Sequence, residues 1–185
     1  MRKYFALFIC AAMLLGMGCQ SESKGKFNGS KGEVKLLTLD PGHFHAALVQ
    51  MYMYDQVDPT VNVYAPEGDD VKMHLEKIER YNTRAERPTS WNEQLYTGED
   101  FLQKMIEEQK PDFVIVTSID RTHHRYIIKA MECGCDVISE KPMTVDAKKC
   151  QEIIDCIQKT GKNLRVTFNY RYSPDRTKVK DLIMK

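Results

Sequence analysis

Short apolar runs alternate along this chain with longer segments whose apolar residues recur at helical spacing. The runs are Val34–Leu39, Val61–Ala65, Phe113–Val116, Asp136–Ser139 and Asn163–Asn169. Phe113 to Val116 is the clearest, a continuous apolar and β-branched stretch of the kind expected when both faces of a strand are buried. The periodic segments predict helices between these strands. The first carries Ala46, Ala47, Leu48 and Met51 after a turn at Asp40–His45. The second spans Asp70–Tyr81 on a stripe of Val71, Leu75 and Ile78, with Asp69 or Asp70 as its cap. The third spans Glu99–Gln109, with Phe101, Leu102, Met105 and Ile106 facing the core. The fourth carries Ile127, Ile128 and Met131 and stops at Gly134. The fifth runs from a capping Thr144 through Lys159 and ends at Gly161, since glycine closes helices readily in the left-handed conformation. Another helix opens at Asp175. Between Asn82 and Glu93 the chain is polar, contains Pro88 and the only tryptophan, and predicts an unusually long connection. Trp91 is expected to anchor packing there rather than to stack on a sugar. Strand–helix alternation of this kind predicts an α/β fold: one doubly wound domain over residues 33–174, with a mostly parallel sheet and helices on both faces.

Upstream of that domain the pattern changes. Arg2 and Lys3 precede an apolar run from Tyr4 to Met17, which ends at Gly18-Cys19. A charged start, a short apolar stretch and small residues at its end describe an export signal, and the run is shorter than the ~20 residues of a spanning helix. Gly16, Gly18 and Cys19 resemble a bacterial lipoprotein cleavage box, although Leu15 stands one place further from Cys19 than usual. The expectation is a signal peptide over 1–18 and a polar tether over 19–32. Cys19 would be the lipidated residue, and the protein would be exported and held at the cell envelope. A plain secretory signal is the alternative.

Charge excludes one class of partner. The formal net charge is +1, and it becomes −1 when Arg2 and Lys3 leave with the signal, so no nucleic-acid partner is expected. Of the six cysteines, Cys10 and Cys19 belong to the leader, Cys133 and Cys135 flank Gly134, and Cys150 and Cys156 share a predicted helix. No second Cys or His pair stands at zinc-site spacing, so the domain cysteines are expected to be small core residues. His43 and His45 form a His-x-His pair after the first strand. The pair could contact a metal or substrate, or His43 could cap the turn while His45 packs. Without a nearby third ligand no metal site is expected.

In an open parallel sheet, ligands bind outside the carboxyl ends of the strands. That rule selects Asp120, His123 and Lys141. The stretch holding them keeps Asp120, His123, Ala130, Gly134, Val137, Glu140, Lys141 and Pro142 in one ungapped register. In this it resembles the Gfo/Idh/MocA family of nicotinamide-dependent sugar oxidoreductases, with Ile119 where the family's turn carries proline. The resemblance covers Val34 to Pro174 and implies a Rossmann-like fold, NAD or NADP as cofactor, and a small sugar-like substrate. It implies Lys141 as the catalytic cation, before an X–Pro bond that is often cis in the family. It implies Pro41, Gly42, His43, Phe44, Ser118, Asp120, His123, Glu140 and Lys141 around the cofactor. Aligned on the family's glycine turn, Asp40 takes the first glycine's place, Gly42 keeps the second, and His45 takes the third. Gly42 is then expected to admit phosphate, His45 to push helix from strand, and Glu67 to reach the ribose. Asn169, Arg171 and Pro174 resemble the family's exit from the nucleotide domain, so 175–185 would begin a second domain supplying the general base and any homo-oligomer contact. A catalytically inactive, tethered binding module is the alternative function.

Overall fold

The computed structural model describes residues 27–108, 111–168 and 173–184. The expected leader and lipid anchor, including Cys19, and the expected exit residues Asn169 and Arg171 lie outside the described residues.

Among the described residues, six strands form one sheet: β1 (Leu36–Leu39), β2 (Thr60–Ala65), β3 (Asn92–Thr97), β4 (Phe113–Val116), β5 (Asp136–Ser139) and β6 (Leu164–Val166). Their order is β3-β2-β1-β4-β5-β6 and every pairing is parallel. The helices are α1 (Asp69–Thr83), α2 (Phe101–Glu108), α3 (His123–Glu132), α4 (Ala147–Thr160) and α5 (Pro174–Ile183). This is the doubly wound order, in which connections leave β1 and β4 in opposite directions and open a crevice between them.

The alternation of β1 shows how the sheet is covered on both sides. Leu37 and Leu39 face a core made with Leu102, Met105, Val114, Ile127, Met131 and Ile153. Leu36 faces the opposite core, made with Ala47, Val61, Ile78, Tyr81 and Trp91. Period-two side-chain direction therefore divides one strand between two layers. Trp91 is buried as an anchor, and its indole N–H donates to the Gln50 carbonyl at 2.6 Å.

Several local expectations are corrected. The segment after β1 is a 3-10 helix, Phe44–Gln50, rather than an α-helix. The N-cap of α1 is Gly68, and Asp69 and Asp70 lie in the first turn, where carboxylates complement the helix dipole. His74, not Leu75, takes the buried position of that helix. Asn92–Thr97, expected within or after a polar connection, is an edge strand with mostly exposed side chains. The cap of α4 is Asp146, whose carboxylate accepts from the Lys148 and Lys149 amides, and not Thr144. Gly134 and Gly161 do adopt positive φ, at 83° and 67°. Cys135 and Cys156 are buried thiols; Cys133 and Cys150 are half-buried.

Candidate functional site: the cleft between the first and fourth strands

The turn after β1 departs from a glycine-rich loop in sequence yet keeps part of its backbone form. Asp40 has φ 48°, the left-handed region that a glycine would occupy without strain. Asp and Asn tolerate that region better than most residues. The Asp40 side chain accepts from the Tyr126 hydroxyl of α3 at 3.1 Å. Burial raises the Asp40 carboxyl above its ordinary range, against the opposing pull of that bond. Asp40 is thus tied to α3 through Tyr126.

Gly42 has a reason to be glycine beyond the approach of a phosphate expected from sequence. A Cβ placed there would stand 3.3 Å from the Ser118 Cα and carbonyl carbon and 3.4 Å from the Ile119 nitrogen. The close approach is to the backbone of the loop after β4, so the two loops lining the crevice come together at Gly42. The Ser118 loop is held in turn. His123 is fully buried, with Nε2 2.7 Å from the Ser118 carbonyl and Nδ1 2.6 Å from the Pro142 carbonyl. Both partners only accept, so a neutral ring donates to one and an imidazolium to both. His123 therefore works from beneath the cleft, as a brace between the β4 and β5 loops. The Lys141–Pro142 peptide is cis.

His43 caps the 3-10 helix, accepting the His45 amide on Nδ1 at 3.3 Å. His45 does not wedge between helix and strand: Ala46 and Ala47 pack fully against the sheet. Its Nδ1 lies 2.5 Å from Glu140 Oε2 at the end of β5. The same oxygen accepts from the Thr167 hydroxyl at 3.0 Å. Burial disfavours the Glu140 charge, but the bonds from His45 and Thr167 prevail and hold the carboxyl below its ordinary range. His43 is lowered by burial and by neighbouring His45, which favours the neutral ring.

These loops enclose a cleft of about 480 Å³ lined by Gly42, His43, Ser118, Asp120, Glu140 and Lys141, with Ile119 and Arg121 completing it. The Lys141 side chain is 58% exposed, with Nζ 3.6 Å from Glu140 Oε1. A second hollow of about 280 Å³ opens on the other side of the Gly42 turn, against α1. Pro41, Gly42, His43 and Phe44 border it, with Lys77 and Arg80 opposite. Glu67 is exposed beyond β2 and lines neither hollow. Sequence reading brought most of the cleft together but missed Thr167 and Tyr126. Neither carries a local signal, since each acts only through a residue distant in sequence.

A six-stranded parallel sheet in this order, with a cleft at its β1–β4 switch point, defines a dinucleotide-binding Rossmann domain. A family profile described as "Oxidoreductase family, NAD-binding Rossmann fold" matches residues 70–168. The chain belongs to that family, Gfo/Idh/MocA. It is 40% identical over 87 residues to the Bacillus subtilis oxidoreductase YteT, covering 47% of this chain and 20% of that protein. It is 33% identical over 81 residues to the D-glucoside 3-dehydrogenase of Escherichia coli, covering 44% of this chain and 23% of that protein. The crystal structure of an oxidoreductase from Parabacteroides merdae superposes with a TM-score of 0.80 at 43% identity, over 84% of this chain and 36% of that one. This chain thus spans well under half the length of these relatives.

The cofactor of such a domain is NAD or NADP, and the residues present fit one. The two hollows meet at Gly42 and His43, as a dinucleotide lying across a switch point requires. Asp40 supplies the left-handed turn of the missing first glycine.

Proposed function

We propose that this chain is the nucleotide-binding part of a nicotinamide-dependent oxidoreductase acting on a sugar or sugar derivative, with Lys141 as its catalytic cation. One observation carries the reading. Lys141, Asp120 and Gly42 come from three separate loops and line one cleft at the carboxyl edge of the sheet. The bound nicotinamide would accept or donate the hydride. Pro41, Gly42, His43 and Phe44 would hold the middle of the dinucleotide. Ser118, Asp120 and Glu140 would shape the cleft at its reactive end, with His123 bracing them. Lys77 and Arg80, rather than Glu67, face the hollow where the adenosine half would lie, and cations there suit phosphate oxygens. Lys141 is a compact cation on a flexible stem, able to polarise a substrate hydroxyl or carbonyl oxygen. Glu140, buried and ionised, draws that ammonium to one wall of the cleft. Sugar as the substrate class is supported by the D-glucoside 3-dehydrogenase among the relatives. Export and anchoring through Cys19 remain part of the proposal, supported by the leader's composition and the Gly18-Cys19 junction.

The test is Lys141→Ala in the full-length protein. Turnover should fall at least about 100-fold, while NAD(P)H binding, followed by its fluorescence, stays within about threefold. Lys141 is mostly exposed and its amine stands 3.6 Å from Glu140, beyond hydrogen-bond distance, so the melting temperature should move by no more than a few degrees. Retained turnover refutes the assignment.

A further inference from the structure

We propose that His43, His45 and Glu140 form a binding site for one divalent transition-metal cation of the zinc type. Each offers one ligand atom, and among the described residues these three lie with their ligand atoms all within 4.8 Å of one another. A His-x-His pair alone is too little for a tight site. The fold adds Glu140, distant by 95 positions from His45, by bringing the end of β5 over the turn after β1.

The donor set has the right chemistry. Two imidazoles and a carboxylate are a common set for zinc and its neighbours in the first transition series, with a fourth position left for water or a substrate oxygen. Here that open position falls on the cleft side, since His43 and Glu140 both line the 480 Å³ hollow. A second observation points to a cation ligand. Glu140 Oε1 is buried and has no hydrogen-bond partner, in a side chain only 4% exposed. Its nearest cation, Lys141 Nζ, stands at 3.6 Å on a mostly exposed stem. Buried acceptors in native proteins are rarely left this way.

Geometry requires only small movements. His45 Nδ1 and Glu140 Oε2 are 2.5 Å apart, with a proton between them. Around tetrahedral zinc, with bonds of about 2.0–2.1 Å, two ligand atoms stand about 3.3 Å apart. A cation would displace that proton and open the pair by less than about 1 Å, while His43 closes in. His43 would give up the long 3.3 Å bond from the His45 amide, whichever ring nitrogen ligates. Lys141 opposes a second cation and is exposed enough to swing away; Asp120, on the same cleft, adds negative charge. This site does not depend on the nicotinamide reading, and either can fail alone.

The test uses the full chain, stripped with chelator and titrated with cobalt(II). Expected is one equivalent bound with the intense visible absorption of a four-coordinate nitrogen–oxygen site, displaced by zinc. His43→Ala and Glu140→Gln should each weaken both metals by more than the roughly 10–100-fold that loss of a supporting residue costs. Cys133→Ser with Cys135→Ser should leave binding unchanged. His43 is partly exposed, so that variant tests the site even if Glu140→Gln fails to fold. No binding at about 100 μM cobalt overturns the proposal. So does binding that survives His43→Ala, or that is lost only with the cysteines.

Discussion

Gly42→Ala adds one methyl group at the point where two loops meet, and its cost follows from what surrounds that point. The new Cβ would stand 3.3 Å from two backbone atoms of Ser118 and 3.4 Å from the Ile119 nitrogen. These are tighter than ordinary van der Waals contacts by a few tenths of an ångström, so something must yield. A flexible side chain would move at little cost, but these are backbone atoms with anchors of their own. The Ser118 carbonyl faces His123 Nε2 at 2.7 Å, and the Ser118 hydroxyl meets the Thr122 hydroxyl at 2.8 Å. On the other side, the Gly42 amide donates to the Asp40 carbonyl at 2.7 Å. With both walls held, the methyl acts as overpacking, which costs about 1–3 kcal/mol. For a domain of this size that is a fall of roughly 2–12 °C in melting temperature. Calorimetry or circular-dichroism melts measure it directly. NAD(P)H titration of the same variant should show weaker binding, because the turn shifts at the junction of both hollows. An unchanged melting temperature with binding abolished would refute this argument and restore the original expectation, in which Gly42 is small for the phosphate's sake. Gly42→Val should be worse on both counts.

Trp91→Ala removes a buried ring and the donor to the Gln50 carbonyl; a loss of about 3–5 kcal/mol is expected in urea unfolding, and a loss under 1 kcal/mol would show the ring to be surface decoration. Asp40 has a raised carboxyl, so its protonated form is favoured in the fold and its ionisation costs stability as pH climbs through the folded value. Asp40→Asn should therefore stabilise at pH 7, keep the left-handed turn, and lose its advantage as pH falls toward 3.8; an advantage that grows toward acid reverses the sign and refutes the burial argument. Cys19→Ala should move the protein from the membrane to the soluble fraction after cell lysis, and a variant that stays membrane-bound rules Cys19 out as the anchor.

The strands that sequence made plain are the buried ones. Phe113–Val116 and Val61–Ala65 are apolar because both their faces are covered, and burial is what an apolar run records. Asn92–Thr97 escaped for the converse reason. An edge strand facing solvent needs no apolar signature, and its six residues include Asn92, Glu93 and Gln94. The cleft was legible where chemistry and register coincided, at Asp120, Glu140 and Lys141. What stayed hidden was pairing across the fold. Nothing near His45 announces Glu140, and nothing near Asp40 announces Tyr126, because those contacts exist only once β1, β4 and β5 lie side by side. Gly42 shows the same limit: its place in the turn signals a close approach, but nothing near it in sequence announces the Ser118 backbone beside it.

The placement of His123 bears on how a ligand would be received. Standing between the Ser118 and Pro142 carbonyls, it ties two loops together at the sheet's edge. Restricting one residue's backbone costs about 1–2 kcal/mol in conformational entropy. Here that restriction is met during folding, from within the core, by a side chain that never meets solvent. A dinucleotide arriving there would meet loops already tied to the core, so less of its binding free energy would go to ordering them.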